Sequence, residues 1–161
     1  MIDRYSCPAP KFMLLNLGLT TRAIYGGPYY DKPAGMVGVK LAPEVHADAE
    51  HELAIRDFSI PPHKTSVDVL LHNVLYLLAV QKPVYVGCFG GKGRTGLFLA
   101  LLAKAAGVVN PINYVREWYN PHAVENMLQE RYIDNYVVPF SSWQMGKLKL
   151  WALLHGIDPR V

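Results

Sequence analysis

The clearest pattern of apolar positions lies in the middle of the chain, between residues 66 and 80. Apolar side chains recur there at a spacing of three and four residues, which places them on one face of a helix. They are Val67, Leu70, Leu71, Val74, Leu75 and Leu78. Thr65, followed three residues later by Asp68, is typical of a helix start. The pattern predicts an amphipathic helix over residues 66–80.

A short run of β-branched and aromatic residues follows at 83–87 and predicts a buried strand. Residues 88–93 are rich in glycine. The apolar positions of residues 94–106 predict a second helix, which ends at Gly107. Further helices are predicted over residues 111–119, 124–136 and 142–154. Asn110 and Pro111 suit the cap and the first turn of the helix over 111–119.

The first 58 residues contain shorter elements. Their apolar runs predict strands over residues 12–17, 36–41 and 53–58, with turns at 26–28 and 32–35. Helices alternating with strands indicate an α/β fold with a small central, mostly parallel sheet flanked by helices, which cover mainly one face. No change in composition marks a boundary, so we expect a single domain over residues 1–161.

Composition narrows the class of protein. Hydrophobic residues make up 51% of the chain and charged residues 18%, which is enough for a buried core and excludes a disordered chain. No apolar run is long enough for a membrane-spanning helix. Residues 1–5 lack the pattern of a signal peptide, so we expect a cytoplasmic protein.

The counts of cysteine and charge bear on partners and cofactors. The two cysteines, Cys7 and Cys88, form neither a disulfide framework nor a metal-ligand spacing. We therefore expect no metal, no cofactor and a reducing compartment. The net charge of +3 permits an anionic substrate but is not the basic stripe that nucleic-acid binders carry. No pattern in the chain indicates an oligomeric state.

The residues between Cys88 and Arg94 carry the chemistry. They place a cysteine at the carboxyl end of a predicted strand and an arginine six residues later, at a helix start. Open α/β sheets bind ligands at the edge formed by the carboxyl ends of their strands. Glycines let the backbone turn its N–H groups inward, and the helix start adds positive potential. Arg94 can bind two phosphate oxygens with its planar fork. The predicted phosphate-binding segment comprises Phe89, Gly90, Gly91, Lys92, Gly93 and Arg94.

The same electrostatic field favours the thiolate of Cys88, so we expect this cysteine to be ionised at neutral pH. Attack on phosphorus would give a phosphocysteine, which water then hydrolyses. The hydroxyl of Thr95 is placed to donate a hydrogen bond to the sulfur and to assist its departure. The alternative interpretation of Cys88 is a small buried hydrophobe. The coincidence of strand, glycines, arginine and apolar helix favours the catalytic one.

Residues 88–96 resemble the signature of the protein tyrosine and dual-specificity phosphatase superfamily, namely cysteine, five residues, arginine, then serine or threonine. The pattern is also similar to phosphatase-like proteins of bacteria and their viruses. The resemblance implies a compact dual-specificity-phosphatase-like fold and a phosphoric monoester hydrolase. One departure is Gly87, because the family usually has a histidine directly before the cysteine, where it tunes the thiol and orders the loop.

The resemblance also implies a general acid on a loop that precedes the cysteine. Asp57 matches that position and order, since it lies before the helix predicted over 66–80 and shortly before two prolines. It would protonate the leaving alcohol. Considered alone, Asp57 is better interpreted as an ordinary surface carboxylate at a strand end, and only the cysteine loop favours the acid. Asp68 is the rival candidate, but its place at a helix start already explains it.

Two further residues are candidates by resemblance. Gln129 matches a glutamine that lies near the attacking water in many members, although polar residues on a helix face are usually solvated. Lys92 resembles an arrangement in the lipid phosphatase branch, and its charge suits substrates with several negative groups.

Three functions remain open from the residues. The first is hydrolysis of phosphorylated protein side chains, either tyrosine alone or with dual specificity. The second is hydrolysis of a small or polymeric non-protein ester such as an inositol phosphate, a nucleotide or an RNA 5′-phosphate, which Lys92 permits. The third is a module that binds phosphorylated ligands without turnover. Gly87 makes this binding module possible, and the retained Cys88 and Arg94 disfavour it.

Overall fold

The computed structural model describes residues 9–156, in which five α-helices pack on a sheet of five strands. The strands are β1 (Lys11–Leu17), β2 (Thr20–Pro28), β3 (Val37–Lys40), β4 (His51–Glu52) and β5 (Val84–Cys88). The helices are α1 (Lys64–Ala79), α2 (Gly93–Ala105), α3 (Pro111–Trp118), α4 (Met127–Asn135) and α5 (Ser142–Gly156). Cys7 lies outside the described residues. No helix within residues 9–156 is long and apolar enough to cross a membrane.

The order of strands in the sheet is β1-β2-β5-β3-β4. β1 and β2 pair antiparallel, whereas β2 with β5, β5 with β3 and β3 with β4 pair parallel. The prediction of a mostly parallel α/β sheet is therefore confirmed. All five residues of β5 are buried, as a strand covered on both faces must be. Cys88 ends this central strand and so lies at the edge where such sheets bind ligands.

Helix α2 follows β5 directly and is apolar on every side. All of its residues except Lys104 are buried, which explains why its sequence lacks a polar face. It packs against α1, α3, α4 and β5. Because its neighbours enclose it, α2 gives the loop between β5 and α2 a rigid support on the helix side.

The helices predicted over residues 66–80, 94–106, 111–119 and 142–154 are confirmed to within about two residues at most ends, the usual scatter of helix boundaries. Helix α4 begins at Met127 rather than at residue 124, because the side chain of Asn126 caps it by accepting a hydrogen bond from the N–H of Gln129. The predicted start signal at Thr65 is wrong. Helix α1 begins at Lys64, and Asp68 pairs with Lys64 at 2.9 Å.

Two predictions in the first 58 residues are wrong. Residues 26–28 are not a turn but the end of β2, where Gly26 and Gly27 pair with β5. These glycines serve close packing, because the side chains of Tyr119 and Tyr85 lie against them. No strand forms over residues 53–58. The nearest strand is β4, which consists of two residues and ends directly before that range, and the chain turns at Asp57 and Phe58.

Candidate active site

Residues 88–94, which comprise Cys88 and the predicted phosphate-binding segment, are called the phosphate loop below. The thiol is free and buried, and its Sγ accepts hydrogen bonds from the N–H of Gly91 at 3.2 Å and from the hydroxyl of Thr95 at 3.1 Å. The contact predicted between Thr95 and the sulfur is thus present. The sulfur of the candidate nucleophile therefore has one backbone donor and one side-chain donor.

The glycines of the phosphate loop differ in their surroundings. Gly91 has a φ of 71°, and a Cβ there would lie 2.5 Å from the nitrogen of Pro28, so no other residue fits. Gly90 has open space around it. Phe89 and Lys92 are exposed at the rim of the loop. The loop therefore has a tightly packed base at Gly91 and an accessible rim.

Arg94 is the best-buried charged side chain at this site, with 2% of its surface exposed. Its Nη1 donates to Glu44 Oε2 and to the carbonyl of Ile55, both at 2.9 Å, and its Nη2 pairs with Glu44 Oε1. Its Nε is buried and has no hydrogen-bond partner among the described residues. Burial disfavours the charged form, but the bond with Glu44 and the nearby charges outweigh it and raise the pKa of Arg94. A charged donor therefore remains available beside Cys88.

Glu44 is a site residue that the sequence did not reveal. It lies fifty residues before Arg94, in the loop after β3, and no motif surrounds it. Its side chain is 43% exposed, and the hydrogen bond from Arg94 lowers the pKa of its carboxyl below the ordinary value. The pair holds the guanidinium in one orientation, because a bidentate contact fixes both terminal nitrogens.

The structure places Asp57 at the same site. Its Oδ1 lies 3.5 Å from Nη2 of Arg94, and the carboxylate accepts a hydrogen bond from the N–H of Phe58. The side chain is 59% exposed, which leaves it open to a leaving group. Phe58 has a φ of 57°, an unusual conformation for an aromatic residue. The acid loop, residues 55–60, therefore holds a backbone geometry that needs support from its neighbours.

That support comes from the start of α4. Asn126 donates its side-chain amide to the carbonyl of Phe58, and Gln129 donates to the carbonyl of Ser59. The Oε1 of Gln129 accepts from the N–H of Glu125 at 2.9 Å. Gln129 is fully buried, so its interpretation as a solvated polar residue is wrong. Its carboxamide joins the acid loop to the backbone of Glu125, and its role beside the attacking water stays a prediction.

Packing explains why a glycine stands before Cys88. A Cβ at Gly87 would lie 2.7 Å from Cα of Tyr29 and 2.9 Å from the carbonyl oxygen of Gly27. Backbone occupies that space, so neither histidine nor any other side chain fits without a shift of the chain. The close contact between β5 and the residues at and after the end of β2 therefore requires a glycine where the superfamily usually has a histidine.

Beside the phosphate loop lies a cavity of about 600 Å³. Its lining includes Phe58 from the acid loop, Lys92 from the phosphate loop, and Arg116, His122 and Glu125. Basic groups outnumber acidic ones in this lining. The cavity therefore adjoins the phosphate loop at Lys92 and the acid loop at Phe58, and its lining carries more positive than negative charge.

These features agree with comparisons of the chain with known proteins. A family model described as PTP-SAK, the DSP-PTPase phosphatase domain of Swiss Army Knife proteins, matches residues 32–132. The chain belongs to this family. The resemblance of residues 88–96 to the protein tyrosine and dual-specificity phosphatase superfamily is thereby confirmed.

Relatives of this PTP-SAK domain cover part of it. Uncharacterized protein MJ0215 of Methanocaldococcus jannaschii is 41% identical over 83 residues, which is 52% of this chain and 52% of that protein. The triple specificity protein phosphatase PtpB of Mycobacterium tuberculosis is 43% identical over 47 residues, which is 29% of this chain and 17% of PtpB. The match thus spans about half the length of MJ0215 and less of PtpB.

Solved structures show the same fold. Kinase associated phosphatase, with its catalytic-site cysteine replaced by serine, has a TM-score of 0.58 and 15% identity, and the match covers 77% of this chain and 92% of that one. Tk-PTP in its active form has a TM-score of 0.57 and 18% identity, with 75% and 93% covered. The predicted dual-specificity-phosphatase-like fold is confirmed.

Proposed function

We propose that this PTP-SAK domain is a cysteine-dependent phosphatase that hydrolyses phosphate monoesters on protein side chains through a phosphocysteine. The observation that carries the proposal is the buried Nε of Arg94, which has no hydrogen-bond partner within residues 9–156, in a site whose cysteine sulfur already accepts two hydrogen bonds. A buried charged donor without a partner is costly unless a ligand completes it. A phosphate oxygen is the matching acceptor for a guanidinium N–H at a helix start.

In the first step, the thiolate of Cys88 forms a bond to phosphorus while the bond from phosphorus to the ester oxygen breaks. Protonated Asp57 donates its proton to the departing oxygen. In the second step, water attacks phosphorus, the sulfur–phosphorus bond breaks, and Asp57 takes the proton from the water. The hydroxyl of Thr95, at 3.1 Å, stabilises the thiolate that leaves.

The proposal treats residues 1–161 as one domain that acts in the cytoplasm. A single cluster of buried apolar side chains supports the first part, since it includes residues from every helix and from four of the strands described. The carbonyls that accept from Arg94 and Gln129 also connect distant parts of the chain to one site.

Steady-state hydrolysis of para-nitrophenyl phosphate in the presence of a chelator tests the activity. We expect turnover by the reduced wild-type protein and by Cys7→Ser, and none by Cys88→Ser, which should still bind phosphate. Wild-type turnover by Cys88→Ser would overturn the mechanism. A folded, reduced wild-type protein without any turnover would leave the phospho-ligand binding module as the function.

The cavity beside the phosphate loop favours a second candidate function, hydrolysis of a non-protein phosphate ester with further negative groups. Lys92, Arg116 and His122 would face those groups from one side. Comparison of an inositol phosphate, a nucleotide and a phosphotyrosine peptide as substrates separates the two functions. Lys92→Ala should raise KM only for the substrate with several anionic groups if this second function is correct.

A further inference from the structure

The phosphate loop needs an ordering contact that Gly87 cannot provide. In the resembling superfamily a histidine side chain before the cysteine orders the loop, and here the backbone of Tyr29 occupies that space. Glycines make the loop permissive, since each can adopt conformations that other residues avoid. Without a further contact, a loop of this composition would not hold the N–H of Gly91 on the sulfur.

The contact comes from Tyr119, the residue directly after α3. Its hydroxyl donates to the carbonyl of Gly91 at 2.6 Å, and the side chain is buried. The ring lies on β2, where a Cβ at Gly26 would be 3.0 Å from it. Burial, followed by the nearby charge of Cys88, raises the pKa of Tyr119, so the hydroxyl keeps its proton and acts as a donor.

Gly91 is held from both sides. Its N–H donates to the sulfur of Cys88 at 3.2 Å, and its carbonyl accepts from Tyr119. Behind it, the peptide of Gly27 and Pro28 closes the space, and the hydroxyl of Tyr85 binds the carbonyl of Pro28 at 2.8 Å. Because a trans peptide places C=O and N–H on opposite sides, the bond to Tyr119 also turns the next N–H away from α3.

We propose that Tyr119 is the positioning residue that orders the phosphate loop and keeps the Cys88 thiol reactive, in place of the histidine that Gly87 excludes. The inference rests on the proposed function. Tyr119 acts through Gly91 and does not touch the reacting atoms. Within residues 9–156, the charged or titratable groups that face Cys88 and Tyr119 include Arg94 of α2, with Glu44 and Asp57 paired to it, and Tyr85 of β5.

The substitution Tyr119→Phe tests the proposal, because it keeps the ring on β2 and removes only the hydroxyl. Tyr114→Phe is the matched control, since Tyr114 lies on α3, five residues before Tyr119, and donates to a backbone carbonyl, that of Leu14, away from the loop. The first readout is the rate of alkylation of Cys88 by iodoacetamide across pH, followed by mass spectrometry of its peptide to separate it from Cys7. The second readout is kcat/KM for para-nitrophenyl phosphate across pH.

We expect Tyr119→Phe to move the midpoint of Cys88 alkylation and the acidic limb of kcat/KM to higher pH. At a pH below the midpoint both rates should fall by about tenfold for each pH unit that the midpoint moves. Tyr114→Phe should leave both profiles unchanged. Thermal melting of both variants checks that each remains folded.

A Tyr119→Phe profile that coincides with that of Tyr114→Phe would overturn the proposal and leave Tyr119 as a packing residue. A uniform loss of rate without a shift along the pH axis would also overturn it. Alkylation requires no turnover. A wild-type protein without phosphatase activity would therefore contradict the proposed function while the alkylation profiles still decide the role of Tyr119.

Discussion

The pair formed by Glu44 and Arg94 provides the sharpest prediction about the site. The substitution Glu44→Gln keeps the shape of the side chain, removes its charge and turns an amide donor toward the guanidinium. Arg94 is 2% exposed, so it would keep a buried charge with one counter-charge fewer. Asp57 at 3.5 Å is too far from Nη2 for a good hydrogen bond and does not replace the bidentate contact.

The expected loss of free energy follows from the number of hydrogen bonds between Glu44 and Arg94 and from their exposure to solvent. A hydrogen bond between charged groups contributes about 1.5–3 kcal/mol, and partial exposure reduces that value through solvent screening. Since Glu44 is 43% exposed, we expect a loss of about 1–2 kcal/mol for the pair. If the transition state depends on an oriented Arg94, kcat/KM should fall on the order of 5- to 30-fold.

The assay is kcat/KM for para-nitrophenyl phosphate beside urea unfolding. Glu52→Gln is the matched control, because Glu52 pairs with a well-buried lysine, Lys40, at 2.8 Å, on β3 and β4. Both variants should lose stability, and only Glu44→Gln should lose activity. If the two variants had the same kcat/KM, the claim that Glu44 positions Arg94 would be refuted.

Three further predictions follow from other contacts. Gly87→Ala should lower the free energy of unfolding, measured in urea, by about 1–3 kcal/mol, because its Cβ would lie 2.7 Å from Cα of Tyr29. Gly90→Ala is the control, because Gly90 has open space around it. Equal stability of the two variants would contradict the steric argument. The pKa of Glu44 is lowered in the folded state, so its bond with Arg94 stabilises the protein above the ordinary pKa of about 4.3 and the benefit is lost as pH falls through the lowered value. The urea midpoints of wild type and Glu44→Gln should therefore converge in acid, and a constant gap would exclude this linkage. Asp57→Asn should slow phenyl phosphate, with its poor leaving group, roughly 10²–10⁴-fold and para-nitrophenyl phosphate far less; equal slowing would remove Asp57 as the acid.

Local patterns made much of the fold predictable. Helices α1 and α2 show their spacing within a few turns, and the segment from Cys88 to Thr95 places nucleophile, phosphate donor and hydroxyl partner in one continuous stretch. Residues close in sequence at a strand end and a helix start must also be close in space. Asp57 was predictable only by resemblance, because it is distant in sequence and of an ordinary type.

Contacts between distant segments were not predictable. Glu44 and Tyr119 are common residue types without a motif, and only the packing of β3 and α3 around the phosphate loop brings them to it. The sequence predicts a turn at Gly26, but the glycine makes room for a tyrosine ring instead. The sequence alone does not distinguish a glycine that allows close packing from one that bends the chain. The burial of Gln129 could not be predicted, because burial of a polar residue depends on hydrogen-bond partners from other loops.

The most direct test of the central claim is to find the residue that carries the phosphoryl group during turnover. A single turnover of a ³²P-labelled phosphotyrosine peptide by excess reduced protein is stopped by denaturation, and the label is assigned to a peptide. The account predicts label on the peptide that contains Cys88, and no label and no phosphate release after this thiol has been alkylated. Phosphate release at an undiminished rate by the alkylated protein, or label on another residue, would contradict it.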